Sequence, residues 1–183
     1  TPDRLAMIRE EEQRGACAAL GVHDVMFLGY PDGTLFNSLE LRRDIAREIR
    51  RFKPEVIICQ DPVRHTTGRF LNHPDHRNAG DATLDAVFPS ARDYHAFPDL
   101  IEEGFMPHKT LQVLIGMGGD DQANLWIDIS ESLDRKIEAL RNHKSQIRDP
   151  EALFERMRDG SRRTAEGQPM EYAEAYRYFK LMG

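Results

Sequence analysis

Short apolar runs alternate along this chain with longer amphipathic stretches, and few folds accommodate that alternation. Asp24–Gly29, Val56–Cys59, Leu111–Ile115 and Leu125–Ile129 each read as a strand. Val56-Ile57-Ile58-Cys59 is apolar throughout, the pattern of a strand covered on both faces. Between these runs lie helical signals. Thr1-Pro2-Asp3 supplies a capping hydroxyl, a proline suited to the first turn and an acid at the positive end of the dipole. Leu5, Ile8, Ala16 and Leu20 then make a stripe that Gly21 ends. Leu39, Leu41, Ile45, Ile49 and Phe52 give a second stripe, closed by Pro54. Further helices are expected from about Pro74 to Val87, from Ser130 to about Ile147, and over the tyrosine-rich tail Met170–Met182. Strands alternating with helices predict a three-layer, Rossmann-like α/β fold: a mostly parallel sheet with helices on both faces, in one domain spanning 1–183.

In such a sheet ligands bind beyond the carboxyl ends of the strands. Two stretches leave strands at that edge. Tyr30-Pro31-Asp32-Gly33 is a turn by composition and follows the first run. A long polar loop from Gln60 to Asn72 follows the second and leads into Asn72-His73-Pro74-Asp75-His76-Arg77. Both stretches are expected to converge on one rim.

Proline suits a first helical position, so His73 is expected to be the N-cap of a helix that Pro74 begins. His73 and His76 are three apart and lie near one face of its first turn. Neutral imidazole is a common zinc ligand, and a neighbouring carboxylate is the usual group that orients one. The bland alternative is a capped helix start with a solvated His76. A catalytic zinc takes three protein ligands, and this stretch offers two histidines at most, so the other ligands must come from elsewhere.

Composition narrows the partners. Lys+Arg 25 against Asp+Glu 31 leaves a net charge of -6, without the basic stripe that a phosphate backbone requires, so nucleic acid is not an expected partner. No apolar run approaches a membrane span and no signal peptide is visible. Cys17 and Cys59 lie in apolar surroundings and read as free thiols in a reducing, cytoplasmic compartment rather than as a disulfide.

Several stretches together resemble the zinc-dependent de-N-acetylases of the LmbE-like (PIG-L) type: IREEEQRGACAALGVHDVMFLGYPDG, RFKPEVIICQDP, HPDH, LWIDISESLDRKIEALRNHKSQ and YAEAYRYF, in that order over almost the whole chain. The resemblance implies removal of an N-acetyl group from an N-acetylglucosamine-type sugar or conjugate, with one divalent ion, zinc or another, as cofactor. It implies His76 as a metal ligand and His73 as the imidazole facing the amide carbonyl. Asp75 would orient the histidine pair or contact substrate, Arg9 and Asp32 would hold sugar hydroxyls, and Asp61 would support the metal site from behind. One departure is large. The family's first motif, His-Pro-Asp-Asp, which supplies a histidine and an aspartate to the metal and a second aspartate as the base, occurs nowhere in these 183 residues. The chain opens on Thr1, with no strand before its first helix, and a preceding segment carrying that strand and motif is expected. The alternative is a metal-free sugar-binding module on the same fold; a two-metal phosphoesterase would need further clustered carboxylates and histidines.

The remaining candidates read more plainly. His65 and Arg69 lie in the long loop, where substrate contact and solvation are equal expectations. The run Arg42, Arg43, Arg47, Arg50 and Arg51 reads as the solvated face of a helix, Trp126 as core, and His143 as a helix-end residue. Tyr172, Tyr176 and Tyr178 read as packing on the chain's own sheet, with a homo-oligomer contact as the second option.

Overall fold

The computed structural model describes residues 1–67, 70–116 and 122–183. Arg69, a candidate substrate contact, lies outside the described residues. The elements run α1 (Pro2–Ala19), α2 (Leu39–Phe52), β1 (Val56–Gln60), β2 (Thr66–Thr67), β3 (Phe70–Leu71), α3 (Pro74–Asp85), α4 (Pro98–Glu102), β4 (Gln112–Gly116), β5 (Leu125–Asp128), α5 (Leu133–Arg141), α6 (Pro150–Thr164) and β6 (Ala173–Lys180). No described helix is long and apolar enough to cross a membrane.

The chain is α/β, but the expected mostly parallel sheet is corrected: the sheet is mixed. Its strand order is β1-β4-β6-β5. β1 and β4 are parallel, with Val56 opposite Gln112 and Cys59 opposite Ile115. β4 and β6 are antiparallel, with Val113 opposite Phe179 and Leu114 opposite Tyr178. Two sequence expectations change with it. The tail is a strand, not a helix. Tyr172 and Tyr176 fit a helical spacing, but Tyr176 and Tyr178 fit a pleat equally well, and pairing of aromatic with branched side chains across β4 decides the matter. The run Asp24–Gly29 is not a strand either. It keeps a strand's alternation, with Val25 and Phe27 half-buried and Met26 and Leu28 exposed, yet no ladder partner exists for it among the described residues.

The residues fall into two compact units. The first comprises Thr1–Leu28 and Trp126–Glu174. Its core is Ile129, Leu133, Ile137 and Phe154, with Leu140, Leu153 and Tyr172 packed on it. Thr1 caps α1 by accepting from Arg4 N. α1 packs on the end of α5, where a side chain at Gly15 would meet Asn142. Glu12 closes this contact by accepting from Ser145 N at 2.6 Å and from Ser145 Oγ at 2.7 Å, and those bonds hold its carboxyl below the usual range. The helix expected to run from Ser130 to Ile147 is shorter, and α6 follows it after Asp149, whose side chain caps it through Ala152 N.

The second unit comprises Gly29–Leu125 and Ala175–Gly183. Ala46, Ile49, Ala86, Val87, Ala91, Leu100, Val113 and Ile115 form its core, with Ile57, Cys59 and Phe179 packed against them. Ser38 caps α2 by accepting from Leu41 N at 3.1 Å. The basic face of α2 is not uniformly solvated: Arg43 bonds Asp99 and Glu103, and Arg50 is 1% exposed. The two thiols are free, as expected, and partly buried. Burial pushes the Cys59 thiol up to about 11.

Candidate functional site

The site is built on the carboxyl end of β1 in the second unit. The ladder continues one step past β1, where Asp61 N donates to Gly116 O at 3.1 Å. α3 crosses this strand end at Gly80, where a Cβ would come 2.2 Å from Gln60 O. Only glycine permits that approach, so it fixes how far α3, and the histidines at its start, stand from the sheet.

His73 is the N-cap of α3, as expected. Its Nδ1 accepts from Asp75 N at 3.2 Å. An accepting Nδ1 puts the proton of the neutral ring on Nε2. Both imidazoles are exposed, with ring centroids 6.0 Å apart at 61°. Asp75 faces elsewhere. Its Oδ2 accepts from Gly33 N at 2.6 Å, while Oδ1 is buried without a hydrogen-bond partner, 3.8 Å from His73 Nδ1. The bond to Gly33 brings the turn carrying Asp32 to the start of α3, so the expected meeting of the two stretches occurs. Asp32 itself is exposed. Gly33 has φ +85, which glycine adopts without strain. Arg9 lies on α1 in the first unit and is half-buried.

Behind the histidines is a polar cluster. Asp61 is 8% exposed; it accepts from Val63 N at 2.8 Å, meets His65 Nε2 at 3.1 Å and lies 3.7 Å from Arg177. Asn72, also 8% exposed, accepts from His65 N at 3.0 Å and donates to Val63 O at 2.9 Å. Its carbonyl accepts from Arg77 Nη1 at 2.5 Å. The loop before the motif is thus pinned to the strand end by short polar side chains. The sequence pointed to Asp61 and His65 but not to Asn72. Its one signal is an amide directly before an N-cap. Tyr30 anchors the other stretch: its hydroxyl donates to Asp44 Oδ2 at 2.8 Å, and burial with that carboxylate pushes the phenol up to about 12.

Among the described residues no three His, Cys, Asp or Glu side chains gather as a metal site. His73 and His76 alone do not make the three-ligand set of a catalytic zinc, so these residues do not by themselves fit the ion that the resemblance implies.

Residues 1–87 match the family model PIG-L, described as GlcNAc-PI de-N-acetylase. The chain is 33% identical over 151 residues to the diacetylchitobiose deacetylase of Thermococcus kodakarensis, an alignment covering 82% of this chain and 53% of that protein. It is 28% identical over 149 residues to a probable N-acetyl-alpha-D-glucosaminyl L-malate deacetylase 2 of Bacillus subtilis, covering 79% of this chain and 59% of that one. The chain therefore spans between about half and three fifths of the length of these curated relatives. Among solved structures, the N,N'-diacetylchitobiose deacetylase from Pyrococcus horikoshii, complexed with its inhibitor MPG, superposes with a TM-score of 0.84 at 26% identity, over 96% of this chain and 64% of that one.

Proposed function

We propose that this protein, whose residues 1–87 match the PIG-L family model, removes an N-acetyl group from an N-acetylglucosamine-type sugar or conjugate and releases acetate. The observation that carries the reading is the His73-Pro74-Asp75-His76 corner at the start of α3, on the carboxyl end of β1. The named activities of the relatives point the same way.

In this reading His73 faces the acetamide carbonyl. With Nδ1 accepting from the main chain, its Nε2–H is the donor available to the oxygen as negative charge develops there. When His73 takes a proton, Nδ1 becomes a donor, and the unpartnered Oδ1 of Asp75, 3.8 Å away, is the acceptor it would turn to. The imidazolium, charged beforehand by a proton from solvent, gives its Nε2 proton to the departing amine and is left neutral with its proton on Nδ1. Asp32, and Arg9 on its own element, hold sugar hydroxyls. A divalent ion, zinc in the first instance, supplies Lewis acidity and an activated water when bound. His76 contributes one ligand to it. The remaining ligands and the aspartate base come from outside the described residues, in a segment that carries His-Pro-Asp-Asp. The compartment is the cytoplasm.

The test uses the natural full-length protein. Its intact mass should exceed the 21.0 kDa of this chain, with His-Pro-Asp-Asp in the additional sequence. It should release acetate from N,N'-diacetylchitobiose and retain about one zinc. His76→Ala should lose the zinc. His73→Ala should keep it and turn over roughly 100-fold to 10,000-fold more slowly, the usual worth of a positioned acid–base group. Zinc retained in full by His76→Ala would overturn the ligand assignment. Sugar binding without zinc or acetate release would replace the hydrolase by a metal-free sugar-binding module.

A further inference from the structure

The turn that carries Asp32 continues into a segment, Gly33–Asn37, that is neither helix nor strand. Its conformation is set by side chains of α3. Asp75, Asn78, Asp81 and Asp85 are spaced three, three and four residues apart, so they share one face of that helix. Together they hold the segment at three points. Asp75 Oδ2 accepts from Gly33 N at 2.6 Å. Asn78 Nδ2 donates to Leu35 O at 2.8 Å. Asn37 Nδ2 donates to Asp81 Oδ2 at 2.7 Å and to Asp85 Oδ2 at 2.9 Å. From the other side Arg42 Nε donates to Asn37 Oδ1 at 2.8 Å and stands 3.3 Å from Asp85. Fixing irregular backbone costs conformational entropy, which such a row of contacts has to offset.

The same helix begins with His73 and His76. One rigid element therefore carries the candidate catalytic histidines at its start and, along one face, the strap that orders the Asp32 turn. We propose that Asn37, Asn78, Asp81 and Asp85 are positioning residues for saccharide recognition, holding Asp32 where it meets sugar hydroxyls without touching the sugar themselves. This rests on the sugar-deacetylase reading. Hydrogen bonds through Asp32 act on the bound sugar away from the reacting amide, so loosening the strap weakens binding more than it slows chemistry.

Asn37→Asp tests the proposal in the full-length protein. It is isosteric, but it sets a third carboxylate against Asp81 and Asp85 and removes the amide that bridges them. Amide exchange at Gly33 should speed up. KM for N,N'-diacetylchitobiose should rise about tenfold, the effect of one lost hydrogen bond of ordinary strength. kcat and zinc content should stay within about twofold of wild type. Adding Asp81→Asn returns a donor–acceptor pair to the two positions and should bring both Gly33 exchange and KM back toward wild type. Faster exchange with an unchanged KM overturns the link to the sugar. A fall in kcat or zinc with KM unchanged overturns it in favour of support for the histidines. Unchanged Gly33 exchange overturns the strap itself. If the wild-type protein neither binds nor cleaves the sugar, the deacetylase reading fails, while Gly33 exchange still judges the strap on its own.

Discussion

The guanidinium of Arg50 donates to the main-chain carbonyls of Ser90, Ala91, Asp93, Ala96, Phe97 and Phe105. These carbonyls belong to the irregular stretch between α3 and β4, so a planar five-donor group substitutes there for a ladder. Burial lowers its pKa from the ordinary arginine value, and a guanidinium in a protein keeps its charge. Arg50→Met keeps much of the volume but strands several buried carbonyls. It should destabilise the fold by about 3 kcal/mol or more, read as a shifted urea midpoint at unchanged slope. Arg51→Met, on an exposed neighbour, should stay within about 0.5 kcal/mol. Equal midpoints would mean that the carbonyls find other partners. Gly80 is the second residue of this kind. Gly80→Ala drives a methyl into Gln60 O, against backbone on both sides, and should lower stability because α3 must lift from β1. A variant with wild-type stability would show that α3 is not seated there.

At the scale of elements, the sequence carried the starts of α1, α2 and α3, and for a chemical reason. Thr1 and His73 were legible because N-caps depend on short polar side chains beside proline, and α2 was legible from its apolar stripe, all local information. α6 has the same signature in Asp149-Pro150-Glu151 and could have been read the same way. Asp149→Ala should cost about 1 kcal/mol by removing the acceptor for Ala152 N, and thermal unfolding checks it; no loss of melting temperature would rule the cap unimportant. The strands were less legible because a strand exists only with its partner. Val56–Gln60 and Gln112–Gly116 were apolar enough to be found and are paired. Asp24–Gly29 looks similar and has no ladder partner among the described residues, whereas Ala173–Lys180 looked helical and is paired with β4. The candidate site divides in the same way. His73, Asp75 and His76 are contiguous and stand out in the sequence. Asn78 and Asp81 act on segments 43 and 44 residues away and give no local signal, while Asn72, with partners 7 and 9 residues away, is marked only by its place before an N-cap.

For the whole molecule, stability should fall with pH on the alkaline side. Two acids in the second unit hold their protons more tightly when folded: Cys59, pushed to about 11 by burial, and Tyr30, pushed to about 12 by burial and by Asp44. The unfolded chain would release these protons near about 8.5 and about 10. Because the folded values are raised, their contribution is complete below the unfolded values and is lost as pH climbs through the folded ones. Unfolding free energy should therefore fall between about pH 9 and pH 12, first with Cys59 and then with Tyr30. Cys59→Ser should flatten the early part of that decline and Tyr30→Phe the later part, whatever each does to stability at pH 7. Glu12 works in the opposite direction: its folded value is lowered by Ser145, so its contribution is present above the carboxylate range and disappears as pH falls through it. Urea midpoints from pH 3 to pH 12 on the wild type and both variants separate these effects. If neither substitution changes the alkaline slope, the protons are released elsewhere, and the burial of Cys59 and the Tyr30–Asp44 bond are not what links this fold to pH.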